Sequence, residues 1–220
     1  MNDIINAFLL VYAGLFPIVN PIGGAPIFLG LTSDRTVGER EAIARRVALN
    51  GFFLLLGSMI IGSHVLEFFG ITLPIVRIAG GLVVTAFAWR MLQSGDEADE
   101  GRTADTVQRA QRRLDTFYPL TMPLTVGPGS ISVAIALGSQ RPWGPTFNLV
   151  RLALVGGAAV AGLAAIAATI YLCYRFAARL VQVLGEGGTN VLVRLSAFIL
   201  LCIGIEIIWT GYTALGSAPA

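Results

Sequence analysis

The sequence contains few charged residues for its length of 220 residues. Only 13% of them are charged and 55% are hydrophobic, whereas a soluble domain carries about a quarter charged residues. The mean hydropathy is +0.75, and apolar runs of about 20 residues, long enough to span a bilayer, recur along the chain. The sequence therefore excludes a soluble domain. It predicts an all-α, polytopic membrane protein surrounded by lipid, with no nucleic-acid partner.

Cysteine and histidine are also scarce. Cys173 and Cys202 lie in apolar segments, which favours packing roles over a disulfide. Hydrolysis inside a membrane requires a Ser–His or paired-Asp arrangement, or a His/Glu metal set. His64 is the only histidine, and no aspartate lies in the middle of an apolar run. We therefore predict neither an enzyme nor a metal centre.

The apolar runs predict six transmembrane helices in a single membrane domain, residues 1–220. They cover about Ala7–Leu31, Val47–Phe69, Ile71–Leu92, Phe117–Leu137, Leu149–Tyr174 and Val191–Tyr212. A tight connection is predicted at Gly70, and residues 93–116 form the one long hydrophilic loop. In the shorter polar loop, residues 32–46, a capped and partly helical interfacial piece is predicted from Ser33 and Asp34 and from the spaced Glu39, Arg40 and Glu41.

Arginines are distributed unequally between the two ends of these predicted helices. The connections after the first, third and fifth helices hold Arg35, Arg40, Arg45, Arg46, Arg90, Arg102, Arg109, Arg112, Arg113, Arg175, Arg179 and Arg194, against Arg77, Arg141 and Arg151 on the opposite side. Arginine-rich connections face the cytoplasm. We therefore expect a cytoplasmic long loop and both termini outside, in a bacterial or archaeal plasma membrane.

Proline and glycine clusters interrupt two of the predicted helices, the first and the fourth. The first cluster is Asn20–Pro26, preceded by Pro17, and the second is Pro119–Ser130. Proline lacks an N–H and frees the carbonyl four residues earlier. In lipid, such groups persist only where protein or a water-filled cavity satisfies them. A broken helix is therefore a candidate binding site, although a kink that serves packing is the alternative.

The two halves of the chain match in three places, in the same order. Pro17 and Pro21 correspond to Pro119 and Pro123, residues 46–51 to residues 151–156, and residues 75–79 to residues 192–196. Each half contains three predicted helices, an odd number, so a duplication places the halves in opposite orientations. We predict two inverted repeats, about residues 7–92 and 117–212, with broken helices 1 and 4 at matching positions.

The broken helices predict a site for a small zwitterion. Half-helices are predicted to begin near Gly24–Pro26 and near Gly127–Gly129, with proline in the first turn. Each presents N–H groups and a positive dipole end within the membrane, which suits a carboxylate. Carbonyls freed by proline suit an ammonium group or a small cation, and glycine lets the backbone approach the ligand closely. The predicted substrate-binding residues are Asn20, Pro21, Gly23, Gly24, Thr121, Pro123, Thr125, Gly127, Gly129 and Ser130.

Two charged side chains lie within predicted helices, Arg77 in the third and Glu206 in the sixth. Both lie roughly 9 Å below the outer surface, counted along their helices, so an ion pair between them is allowed. Charges inside a membrane are functional candidates. The pair is either a structural clamp, in which Arg77 snorkels outward, or a site where Glu206 binds the coupling ion.

The two clusters resemble signatures of the MarC family of membrane proteins. Residues Asn20–Leu29, followed by Leu31 and Thr32, are similar to the first-helix signature, and Pro123–Ile131 to the fourth-helix signature. The length, the six predicted helices and the hydrophilic central loop also fit, so the resemblance covers the whole chain. It implies the fold of that family, in which similar proteins of the SnatA type are ion-driven transporters of glycine and alanine.

Taken with this resemblance, the sequence predicts a secondary transporter that moves a small neutral amino acid by alternating access. We expect Na⁺ or H⁺ as the coupling ion and no other cofactor. An exporter of amino acids or drugs, a channel and a non-transporting membrane scaffold are the alternatives. A scaffold needs no matched helix breaks, and a channel conducts without saturation. The sequence leaves the oligomeric state open.

Overall fold

The computed structural model describes residues 2–93, 116, 120–139 and 149–216. Within these ranges the regular elements are α1 (Asn2–Val19), α2 (Pro21–Leu31), α3 (Val37–Phe68), α4 (Leu73–Gln93), a π-helical segment (Leu120–Thr125), α5 (Pro128–Ser139), α6 (Leu149–Arg175) and α7 (Ala177–Gly216). No strand occurs among the described residues. The predicted all-α class is confirmed.

Four helices are long and apolar enough to cross a membrane: Val37–Phe68, Leu73–Gln93, Ala153–Arg175 and Gly187–Gly216. A fifth candidate is formed by α1 and α2 together, which are bent by 42° at the break between them. The described residues thus contain four or five candidate spans rather than six. The predicted fourth helix is divided between the π segment and α5, which has only 12 residues. The predicted loop 93–116 lies almost entirely outside the described residues.

The connection before α3 is shorter than predicted. The helix begins directly after Thr36, whose hydroxyl accepts the N–H of Glu39 at 3.3 Å, while the Glu39 carboxylate accepts the N–H of Thr36 at 2.9 Å. This reciprocal capping box satisfies two N–H groups and fixes the start of the helix. The polar segment is therefore partly helical, as predicted, because residues 37–46 are the first turns of α3, but its cap is Thr36 and not Ser33 or Asp34.

The predicted tight connection at Gly70 is confirmed. Its φ is +67°, a conformation that glycine adopts without steric cost. The N–H of Gly70 donates to the carbonyl of Glu67 at 3.0 Å, and the N–H of Ile71 donates to the carbonyl of Leu66 at 2.9 Å. These two bonds form a Schellman motif, which ends α3 and turns the chain towards α4.

Glycines allow α4 and α7 to pack with their backbones in close approach. A Cβ atom on Gly204 would lie 2.8 Å from the amide nitrogen of Thr85 and 3.1 Å from the carbonyl oxygen of Gly81. One on Gly211 would lie 2.8 Å from the carbonyl oxygen of Pro74. Small residues at contacts of this kind are typical of helices that associate within a membrane.

The interrupted segments are packed between the long helices. α1 and α2 pack against α6 and α7, whereas the π segment and α5 pack against α3 and α4. The large buried side chains of Leu15, Phe28, Leu55, Leu163 and Tyr174 belong to one core cluster among these helices. Each interrupted segment is thus held by long helices from the other half of the chain.

Candidate functional site

The first helix break depends on a single residue, Asn20, between α1 and α2. Its φ and ψ are 47° and 56°, in the left-handed region, which asparagine tolerates better than most residues. Its side-chain Oδ1 accepts the N–H of Gly23 at 3.2 Å, and its carbonyl accepts the N–H of Gly24 at 2.9 Å. Pro21 occupies the first position of α2, where its missing N–H costs nothing. Asn20 therefore both turns the chain and caps α2.

The same break exposes the carboxyl end of α1. Because Pro21 has no N–H, the carbonyl of Pro17 loses its helical partner. The last carbonyls of α1, those of Ile18 and Val19, stand at the negative end of its dipole. Both residues line a cavity that lies between the two breaks. The first break therefore leaves hydrogen-bond acceptors on residues that line that cavity.

The second break is longer and is built differently. Met122, within the π segment, is extended (φ −123°, ψ 122°), and Val126 and Gly127 separate the segment from α5. The Thr121 hydroxyl donates to the carbonyl of Thr116 at 2.8 Å, and the Thr125 hydroxyl donates to the carbonyl of Leu120 at 2.8 Å. The carbonyl of Thr116 also accepts the N–H of Thr121 at 3.2 Å, so the Thr121 hydroxyl adds a second donor to a carbonyl of this irregular backbone.

The amino end of α5 provides donors on the other side of the cavity. Pro128 is its first residue, so the N–H groups of Gly129 and Ser130 are the first ones without an intrahelical acceptor. Gly127 precedes the helix and has no side chain with which to cap it. The Ser130 hydroxyl donates to the carbonyl of Gly127 at 2.9 Å. The positive end of the α5 dipole therefore meets the cavity uncapped.

The cavity has a volume of about 60 Å³, room for about four water-sized positions. It is lined by six of the ten predicted substrate-binding residues: Asn20, Gly24, Thr125, Gly127, Gly129 and Ser130. Val83, Val84 and Phe87 of α4 and Leu200 of α7 supply apolar wall. The two helix breaks thus share one small cavity, whose lining residues carry hydrogen-bond donors, acceptors and apolar side chains.

The other four predicted substrate-binding residues do not line this cavity. Thr121 is fully buried, and its hydroxyl oxygen lies 3.4 Å from Nδ2 of Asn50 on α3. Gly23 faces α7, since a Cβ atom there would lie 2.8 Å from the Cβ atom of Ser196. Pro21 is buried at the start of α2. Pro123 belongs to the π segment, and its side chain lies outside the described part of the structure.

A residue that the sequence analysis did not select, Tyr174 of α6, connects the two breaks. Its side chain is fully buried, and its hydroxyl lies 2.8 Å from the Thr125 hydroxyl. A Cβ atom on Gly24 would lie 2.9 Å from that same tyrosine oxygen. The ring stacks on Phe28 of α2, with centroids 4.4 Å apart. A buried tyrosine needs a polar partner for its hydroxyl. The presence of a tyrosine inside an apolar run was therefore the sequence signal that could have identified Tyr174.

Arg77 and Glu206, two charged residues within predicted membrane helices, do not line the cavity. Arg77 packs against Gly211 of α7, where an added Cβ atom would lie 3.1 Å from the Cβ atom of Arg77. The Glu206 side chain is exposed. Among the described residues, no ion pair joins Arg77 to Glu206, and neither lines the cavity. Glu206 is five residues from Gly211 on the same helix, so its side chain points away from the face that contacts Arg77.

The comparisons with known proteins agree on one family. A family model described as "MarC family integral membrane protein" matches residues 5–215. UPF0056 membrane protein YvbG of Bacillus subtilis is 30% identical over 202 residues, covering 91% of this chain and 92% of that protein. UPF0056 membrane protein YhcE of Escherichia coli is 33% identical over 200 residues, covering 91% and 89%.

UPF0056 inner membrane protein MarC of Salmonella typhimurium is 30% identical over 219 residues, which cover 96% of each chain. No solved structure matches the chain. These likenesses span nearly all of the sequence, including both breaks and the helices that hold them. The protein therefore belongs to the MarC family of integral membrane proteins.

Proposed function

We propose that this protein is a secondary transporter, not an enzyme, and that it moves a small neutral amino acid of the glycine and alanine type across the plasma membrane. One observation carries the proposal: the carboxyl end of α1 and the uncapped amino end of α5 meet at a single cavity of about 60 Å³. The opposite dipole ends of two helices attract the two opposite charges of a zwitterion. No side chain with a formal charge is needed for this recognition.

The ligand carboxylate binds at the amino end of α5. The N–H groups of Gly129 and Ser130 point out of the first turn of that helix, as in other helix N-termini that bind anions. Asn20 adds a donor, because its Oδ1 accepts from Gly23 and its Nδ2 is left for the cavity that it lines. These groups approach the carboxylate from both breaks.

The ligand ammonium group binds at the opposite wall. The carbonyls of Ile18 and Val19 are acceptors at the end of α1. Thr125 adds a hydroxyl oxygen whose proton is already donated to Leu120, so it acts as an acceptor towards the ligand. The side chain of the amino acid then faces Val83 and Phe87. The volume suits a hydrogen or a methyl group there and excludes large side chains.

Two inverted repeats are part of this proposal. The packing supports them, because the broken helix of each half contacts the long helices of the other half. In the first half α1 and α2 pack on α6 and α7, and in the second half the π segment and α5 pack on α3 and α4. The second helices of the two halves, α3 and α6, also pack together, as do the third, α4 and α7. A two-fold relation between inverted halves produces this pattern, and rocking of such halves provides alternating access.

The proposed orientation places both termini outside, with inner membrane location as in the Salmonella relative whose name states it. The excess of arginine after the first, third and fifth predicted helices supports it. Ser33, exposed before α3, provides the test in a variant whose Cys173 and Cys202 are replaced by alanine. A Ser33→Cys label should react only after the cells are opened; labelling of intact cells would reverse the orientation.

Uptake of labelled glycine and alanine into proteoliposomes tests the transport proposal. We expect saturable uptake that an imposed H⁺ or Na⁺ gradient drives, and counterflow from vesicles preloaded with glycine. Ethanolamine lacks the carboxylate and glycolate lacks the ammonium group, so neither should compete. Counterflow distinguishes a carrier from a channel, and comparing gradients of either direction distinguishes uptake from export. Absence of saturable flux for both amino acids would overturn the proposal.

A further inference from the structure

The hydrogen bonds around Thr125 define the direction of the bond from Tyr174. A threonine hydroxyl has one proton and two acceptor lone pairs. The Thr125 proton is donated to the carbonyl of Leu120 at 2.8 Å. The contact of 2.8 Å between the Thr125 and Tyr174 hydroxyls must therefore use the tyrosine proton. One acceptor lone pair of Thr125 is left after these two bonds.

We propose that Tyr174 is a positioning residue for substrate recognition, an inference that rests on the proposed transport function. By donating to Thr125, Tyr174 fixes the rotamer of that side chain and directs its remaining lone pair into the cavity. There it accepts a hydrogen bond from the ammonium group of the amino acid. Tyr174 itself does not line the cavity, so it acts on the ligand through Thr125.

Gly24 is the second part of this arrangement. A Cβ atom at that position would lie 2.9 Å from the Tyr174 hydroxyl oxygen, too close for an unstrained contact. Gly24 lines the cavity on the α2 side, and Thr125 lines it on the π-segment side. The absence of a side chain at Gly24 therefore makes the room in which the tyrosine hydroxyl reaches Thr125. Phe28, stacked on the ring at 4.4 Å, holds the tyrosine in place.

Binding of glycine to variants of the full-length protein tests the role of Tyr174. We expect Tyr174→Phe to weaken binding about fivefold, the usual effect of one neutral hydrogen bond. In transport, the half-saturating concentration should rise by the same factor while the maximal rate stays unchanged. Thr125→Val should weaken binding by about tenfold or more, because it removes a bond to a charged group. Thr125→Ser, which keeps the hydroxyl, should restore most of the affinity.

A double variant separates positioning from a general structural effect. In a Thr125→Val background, Tyr174→Phe should cause no further loss of affinity, since the acceptor that it positions is gone. The matched control is Tyr171→Phe, one turn earlier on α6, where the lost hydroxyl bonds Glu41 outside the cavity. We expect that control to bind glycine as the unmodified protein does. A full fivefold loss from Tyr174→Phe in the Thr125→Val background would overturn the inference.

Thermal unfolding without ligand tests the contact with Gly24. We expect Gly24→Ala to lower the Tm, and Tyr174→Phe added to it to raise the Tm again, because the strained contact disappears. Effects of the two substitutions that simply add would refute the role of Gly24. If the unmodified protein fails to bind glycine, the proposed function falls and the inference with it. If it binds and Tyr174→Phe leaves the affinity unchanged, only the inference falls.

Discussion

At the first break the chain turns on one residue, whereas at the second it needs the π segment together with Val126 and Gly127. The first is closed locally, because Asn20 supplies the left-handed turn, a side-chain cap for Gly23 and a carbonyl for Gly24. The second has no side-chain cap at the residue before α5. Two breaks of similar composition therefore present different chemistry to the cavity that they share.

This difference bears on the orientation of the proposed ligand. The sequence led us to expect two equivalent helix N-termini, each of which could hold a carboxylate. In the structure, the amino end of α2 is occupied by its own cap, and the end of α1 brings carbonyls instead. Among the helices that the structure describes, only α5 has uncapped N–H groups at the cavity. The proposed zwitterion would therefore bind with its carboxylate at the second break and its ammonium group at the first.

Gly129→Ala should have the largest effect on this arrangement. A Cβ atom there would collide with Val84, so the first turn of α5 must move away from α4. We expect a cost of about 1–3 kcal/mol in the free energy of unfolding, as for other overpacked sites, and loss of measurable glycine binding. Thermal unfolding with and without glycine measures both quantities.

The matched control is Gly30→Ala in α2, where a Cβ atom meets nothing within 4 Å. Alanine is favoured over glycine inside a helix by about 0.5–1 kcal/mol, so the control should be at least as stable as the unmodified protein and should bind glycine normally. Normal binding by Gly129→Ala would mean that the second break does not hold the carboxylate.

Substitution of Asn20 should have an intermediate effect, which separates its two roles. Asn20→Gly keeps access to the left-handed conformation and costs only a few tenths of a kcal/mol as a cap. Asn20→Ala loses the cap, for about 1 kcal/mol, and meets a further cost of about 1–2 kcal/mol in the left-handed region. We expect both variants to bind glycine about fivefold more weakly, and only Asn20→Ala to show a much lower Tm. Unchanged affinity in Asn20→Gly would restrict Asn20 to its structural role.

The positions of the breaks could be predicted because the effect of proline and glycine on a helix is local. Pro128 begins α5, as expected of a residue without an N–H, whereas α2 begins at Pro21, a few residues before the predicted start, so that Pro26 lies inside the helix. Gly24 and Thr125 were among the predicted site residues, but Tyr174, which contacts both, could not be found in this way. Gly24, Thr125 and Tyr174 are far apart in the sequence, and their contact depends on how α2 and α6 pack.

Two other predictions show where local reasoning stops. Ser33, Asp34 and Thr36 are all capping residue types, and only the backbone of the structure shows that Thr36, with Glu39 three residues later, starts α3. Arg77 and Glu206 were related by their depth in the membrane. A depth counted in residues along a helix does not include the direction in which each side chain points. In the structure the Glu206 side chain is exposed. Whether two charged residues form an ion pair is thus better judged from the helix faces on which they lie than from their positions in the sequence.

Thr36→Ala should have the smallest effect and provides the reference for a helix cap outside the cavity. It removes the hydroxyl that accepts the N–H of Glu39, at a cost of about 1 kcal/mol, and the first turn of α3 is exposed to solvent. We expect a slightly lower Tm and an unchanged affinity for glycine. An equal weakening of binding by Thr36→Ala and Asn20→Gly would mean that any frayed helix end disturbs the site. Weakening by Asn20→Gly alone assigns the effect to the first break itself, where the capping residue also lines the cavity.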